Sequence, residues 1–112
     1  MAPQWSDYQE QVADFFRSLG LSATTNETIQ GIRTTHDVDV VVRSRHAGFD
    51  VLWLVECKAW KTAIPKEKVL ALRTIVDDVG ADRGFIMAES GYQSGALLHL
   101  ALNAIVMLTS LR

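Results

Sequence analysis

A chain of 112 residues, 48% hydrophobic and 21% charged, can bury one substantial core but not two, so a single domain over residues 1–112 is expected. That composition excludes a disordered chain, and no segment approaches the roughly 20 apolar residues of a membrane helix, so a soluble protein without a membrane partner is expected. The formal net charge is −2; overall charge gives no reason to expect nucleic acid, and any such case must rest on local residues.

The start, MAPQWSDYQE, lacks the basic-then-apolar pattern of a secretion signal. The one cysteine, Cys57, forms no internal disulfide and fits a reducing cytoplasm, the expected location. From about Ser6 to Leu19, the spacing of Trp5, Tyr8, Val12, Phe15, Phe16 and Leu19 at threes and fours predicts an amphipathic helix that Gly20 ends. Three strand candidates rich in β-branched residues follow: TTNETIQGIR, THDVDVVVR and FDVLWLVECKAW. Pro65 opens a second helix carried by Val69, Leu72, Ile75, Val76 and Val79, which stops at Gly80. RGFIMA reads as a short buried strand, and the Ser90/Gln93 spacing of a capping box opens a third helix through about Asn103. AIVMLTSL closes the chain as a last strand.

The order αβββαβαβ describes an α/β (α+β) domain: a hairpin-built sheet, mixed in direction, continues through a right-handed helical crossover and is flanked by helices. The third strand should be central, because Val51 to Val55 leave it no polar face.

That strand nevertheless runs into Glu56 and Lys58. Alternation puts those two on one face and Val55 and Cys57 on the other. On the preceding strand it groups Asp37, Asp39, Val41 and Arg43 against Val38, Val40 and Val42. A tight turn about Ala47 and Gly48 would pair His46 with Phe49, Asp39 with Glu56 and Asp37 with Lys58, with Cβ atoms about 5 Å apart. A wider loop of the same register would serve equally, whereas a slip of one residue would send the carboxylates to opposite faces.

Two carboxylates so close repel each other and are costly to desolvate unless something compensates. A divalent cation does so, and Asp39 with Glu56 suits Mg²⁺, with Mn²⁺ as a substitute, better than zinc. Lys58 beside them could orient a water or stabilise charge growing on a phosphate. A plain salt bridge from Lys58 to Asp37 or Glu56, with Asp39 solvated at a sheet edge, is the structural alternative, and both readings stand at this point.

An Asp on the second strand (HDVDVVV) followed by Glu-x-Lys on the third (VECKAW), with a helix before and after, resembles the PD-(D/E)xK nuclease superfamily, in particular its Mrr-like restriction endonuclease branch. YQEQVADFFRSLGL is similar to that branch's leading helix and GADRGFIMAESGYQSGA to its later strand and helix. HDVDV departs from the proline-containing spelling that names the superfamily. The resemblance implies a restriction-endonuclease-like core and a metal-dependent endonuclease acting on DNA. It further implies that Asp39 and Glu56 hold Mg²⁺, that the backbone carbonyl of Cys57 completes the site, and that Lys58 assists the attacking water. The leading helix of such nucleases often adds a carboxylate; here Gln9 is better aimed and Glu10 better charged.

His36 and Asp37 are further accessory candidates, although a histidine at a strand start is commonly just half-buried. Cys57, facing away from Glu56, reads as an inert packed thiol. Lys61, Lys66 and Lys68, gathered around Trp60, are candidates for phosphate contact, as is Gln93 at a helix start; Arg33, Arg43 and Arg45 could extend that patch. Trp5, Trp53 and the phenylalanines read as core. A homodimer would set two sites against two strands. A DNA-binding or protein-interaction module that keeps the nuclease fold without turnover is the rival reading, and the acidic net charge sustains it.

Overall fold

A computed structural model describes residues 4–58, 64–88 and 105–109, in the order α1 (Gln4–Ser18), β1 (Ser22–Gln30), β2 (Thr35–His46), β3 (Phe49–Lys58), α2 (Lys66–Val79), β4 (Arg83–Ala88) and β5 (Ile105–Thr109). The third helix expected from Ser90 lies outside the described residues. The strands form one five-stranded sheet in the order β1-β2-β3-β4-β5. The first three pair antiparallel and the last three parallel. β3 is therefore the middle strand and the hinge between the two pairing modes.

Among the described residues, each face of the sheet takes one helix. α1 buries Tyr8, Val12, Ala13 and Phe16 against Ala23, Val40, Val42, Val55, Cys57, Phe85 and Met87. α2 buries Val69, Leu72 and Val76 against Val38, Val41, Leu54, Ile64 and Ile86 on the other face. Gly84 lets α2 lie close: a Cβ there would come within 2.8 Å of Val76 and 3.2 Å of Leu72. α2 begins one residue later than expected, with Pro65 as its N-cap, and Gly80 closes it in the left-handed region at φ 77°. Two expected core residues prove exposed: Leu19 lies beyond the end of α1 at 60% and Phe49 stands at a hairpin tip at 75%.

The β2–β3 hairpin has the tight turn. His46 pairs with Phe49, and the register continues unbroken to Val40 and Val55. Ala47 and Gly48 both have positive φ, 52° and 84°, which is the type I′ geometry matched to the twist of antiparallel strands.

The face assignment of β2 needs correction. Val40 and Val42 do share the α1 side, but Val38 packs with Val41 on the α2 side. Alternation therefore slips by one between them, at Asp39. The partner strand slips at the same level: β1 and β2 keep one register on either side, yet the Asn26–Asp39 pair is missing from it. Asn26 has φ 53°, and Thr24 and Glu27, three residues apart, hydrogen-bond to each other. Asn tolerates the left-handed region better than most residues. The hairpin thus bends at Asn26 and Asp39, and its outer part leans onto α2.

Ala47 is a strained residue in an otherwise fitting turn. Ala47→Asn is expected to raise stability by about 0.5–1 kcal/mol, read as a higher denaturant midpoint; an unchanged or lower midpoint would contradict the turn geometry.

Candidate active site

The slip in β2 and the end of β3 bring together three side chains. Asp39 is neither in the α1 core nor in the α2 core, and its Oδ2 accepts the Cys57 N–H at 2.8 Å. Regular β2–β3 pairing ends one residue earlier, at Val40 and Val55, so a side-chain carboxylate takes an amide that the ladder no longer serves. On the next step of the same register Asp39 stands opposite Glu56. Glu56 shares the face of Leu54, the α2 side, and its side chain is 16% exposed. Lys58 Nζ lies 3.5 Å from Glu56 Oε2 and its side chain is 20% exposed.

Electrostatics mark this as an expensive arrangement. Burial first and then the Asp39 charge push the Glu56 carboxyl up, and with Lys58 only partly opposing them it stands at about 7. The Cys57 thiol is raised well above its ordinary range, first by burial and then by the two carboxylates. It packs against α1 with 1% exposure, so only the backbone of Cys57 is available to the site. This is the placement expected of a packed thiol facing away from Glu56.

Other expected residues separate into groups. Gln9 is buried at 1%, and among the described residues neither of its amide atoms has a hydrogen-bond partner, whereas Glu10 is exposed and paired with Arg17 at 2.6 Å. Of the two, only Gln9 is a polar group in want of a partner. Asp37 is not opposite Lys58: it is exposed and accepts from Thr28 Oγ1 at 2.7 Å, because the slip turns it away. His36 is not at the carboxylate pair either; its Nε2 lies 2.7 Å from Asp78 Oδ2 on α2. Sequence reading missed Asp78 altogether, since its partners are more than 40 positions away. Arg43 and Arg45 are engaged by Glu27 and Asp50. Lys66 and Lys68 are exposed at the start of α2, while Trp60, Lys61 and Gln93 lie outside the described residues.

Solvent reaches Asp39 through an open cleft lined by Asn26, Thr28, Asp37 and Val38. Among the described residues no group of three His, Cys, Asp or Glu side chains could hold a metal ion. A pair of carboxylates is nevertheless a sufficient protein contribution for Mg²⁺, which keeps several waters. The residues fit such an ion: two acidic side chains are held together at a half-buried strand end, and burial and the Asp39 charge drive Glu56 toward its protonated form further than Lys58 can offset.

The sequence pattern of the restriction endonuclease family, of the Mrr catalytic type, matches residues 2–110. The chain belongs to that family. Its members generally use divalent metal ions. No curated protein matches the chain. Among solved structures, a protein of unknown function designated AF1548 superposes with a TM-score of 0.80 at 18% identity, over 96% of this chain and 58% of that one. The DNA modification-dependent restriction endonuclease AspBHI superposes with a TM-score of 0.55 at 13% identity, over 98% of this chain and 33% of that one. At these identities the likeness is one of fold, and this chain spans well under two thirds of either neighbour.

The raised Glu56 has a consequence for the metal-free protein. A carboxyl held above its ordinary 4.5 contributes stability that is intact below that value and is lost as pH rises through about 7, a loss on the order of 3 kcal/mol. In EDTA, wild type should therefore lose melting temperature between about pH 5 and 8, and Glu56→Gln should flatten that decline and melt higher at the alkaline end. Parallel pH profiles for the two proteins would contradict the assigned burial of Glu56.

Proposed function

We propose that this protein is a metal-dependent endonuclease that hydrolyses DNA phosphodiester bonds, with Asp39 and Glu56 as the side chains that hold Mg²⁺, or Mn²⁺ in its place. The observation that carries the reading is the forced approach of these two carboxylates, with Glu56 raised to about 7 and Lys58 Nζ 3.5 Å from it. The backbone carbonyl of Cys57 would complete the protein's share of the site. When bound, the divalent ion neutralises charge on phosphoryl oxygens and makes a bound water acidic enough to attack near neutral pH.

The remaining work falls to this chain's own groups. Lys58 would leave its contact with Glu56 and donate to the attacking water or to a non-bridging phosphate oxygen, where its positive charge meets the charge that develops in the transition state. The Cys57 N–H fixes Asp39 in direction, so the pair is organised before substrate arrives. Gln9, buried on α1 and without a partner among the described residues, would be the accessory residue, its amide able to accept from a water or donate to an anion. Lys61, Lys66, Lys68, Trp60 and Gln93 would meet the DNA backbone, which supplies sequence-independent affinity. A homodimer acting on both strands, and a cytoplasmic setting compatible with a buried, unreactive thiol, belong to the same proposal.

One observation favours a second reading. The contact of Lys58 with Glu56 satisfies both groups in part without any ion, as a DNA-binding or protein-interaction module that retains the fold without turnover would have it. Incubation with supercoiled plasmid in Mg²⁺, Mn²⁺ or EDTA separates the two. The nuclease reading expects metal-dependent nicking that falls by about 100-fold or more in Asp39→Ala and in Lys58→Ala, each variant keeping its fold by circular dichroism. Undiminished nicking in both variants would sink this assignment, and metal binding without cleavage of any DNA form would move the reading to the non-catalytic module.

A further inference from the structure

We infer that Asp78, at the far end of α2, is a positioning residue that sets the direction of the Asp39 carboxylate by holding the outer half of the β1–β2 hairpin against the helix. The inference rests on the reading of Asp39 as a site residue and extends it to a residue with no place in the motif.

The holding contacts converge on one side chain. Asp78 Oδ1 accepts the Arg33 N–H at 2.9 Å, and Oδ2 accepts the Thr34 N–H at 3.4 Å and lies 2.7 Å from His36 Nε2. The Asp78 carbonyl accepts the Ile32 N–H at 3.0 Å. The carboxylate is 7% exposed, and its hydrogen bond with His36, then those from Arg33 and Thr34, hold its pKa below the usual carboxylate value. Gly31 completes the fit: a Cβ at that position would run into the Asp78 carboxylate and come within 2.9 Å of the Thr34 carbonyl. A loop that wraps a helical carboxylate this closely can take few positions relative to α2.

The bend in the hairpin transmits this to the site. His36 and Val38 both face α2, His36 through Asp78 and Val38 through the apolar cluster. Two residues later Val40 faces α1. Asp39 is the residue at which the strand changes sides, so its side chain points where neither core takes it and meets the Cys57 N–H. Were the outer hairpin free of α2, the strand could regain its alternation. Asp39 would then rotate into line with Asp37, and Val38 could resume backbone pairing with β3 in place of the carboxylate. The latch is what makes the bent form the lower one.

The test reads the position of Asp39 without activity. In metal-free, isotope-labelled protein, hydrogen exchange of the Cys57 amide reports its bond to Asp39, with Asp39→Ala as the reference for loss of that bond. Asp78→Ala is expected to speed that exchange about tenfold or more. Val69→Ala, a cavity in the same apolar cluster, should lower the melting temperature without selectively exposing that amide. Asp78→Asn, which keeps an acceptor for the loop amides, should recover most of the protection. If Asp78→Ala does not fold, His36→Ala gives the same readout with a milder change. A Cys57 amide as protected in these variants as in wild type, or equally exposed in Val69→Ala, would overturn the inference. Mn²⁺ binding followed by electron paramagnetic resonance keeps the two claims apart. Wild type that binds no Mn²⁺ while its Cys57 amide responds to Asp78→Ala would refute the metal reading and leave the positioning role standing. Mn²⁺ binding with an unresponsive amide would do the reverse.

Discussion

The hydrogen bond from the Cys57 amide to the Asp39 carboxylate is the contact around which the rest of the domain is arranged. It exists because two strands stop pairing one residue early and one of them bends, and it brings a second carboxylate up to Glu56 at a half-buried strand end. Coulomb repulsion and desolvation both oppose that meeting. The fold sustains it with apolar packing on either side: α1 covers Val40, Val55 and Cys57, and α2 covers Val38, Val41 and Leu54. A site that is unfavourable by itself is thus placed between two cores that hold β2 and β3 in one register.

Much of this was legible from residues alone, for a definite reason. Strand periodicity is two, so a five-residue apolar run ending in Glu56 and Lys58 fixes which residues share a face, and a two-residue turn then fixes every cross-strand partner. The observed pairing of His46 with Phe49 and Val40 with Val55 follows that rule. The same rule failed at Asp39, where β2 changes faces. The one available signal was Asn26, a residue tolerant of positive φ inside a β-branched run, and its effect on the neighbouring strand depends on pairing that no local pattern states. Asp78 was illegible for a similar reason: nothing near it in the chain marks a helical aspartate as the partner of a loop some 42–45 positions earlier. Gln9 stood at the margin of the helical stripe, and only packing decides whether such a residue is buried.

Membership of the restriction endonuclease family, matched over residues 2–110, agrees with the observed order of elements. It does not assign a target. The chain covers 58% of one structural neighbour and 33% of the other, and what the remaining portions of those proteins do is not transferable at such identities. What this chain's own geometry shows is a pair of carboxylates and a lysine brought together at the bend of a sheet, with Lys66 and Lys68 exposed at the start of α2. Among the described residues no helix is long and apolar enough to cross a membrane.

The central claim is that the Asp39–Glu56 pair is completed by a divalent cation. Titration calorimetry of the protein with Mn²⁺ near pH 7, in buffers of differing ionisation enthalpy, tests it most directly. Because Glu56 is raised to about 7 in the metal-free protein and must ionise to serve as a ligand, binding should release about half a proton, and Glu56→Gln should abolish both the release and most of the affinity. Binding with no proton release, or binding unchanged in Glu56→Gln, would place the metal elsewhere and contradict the account.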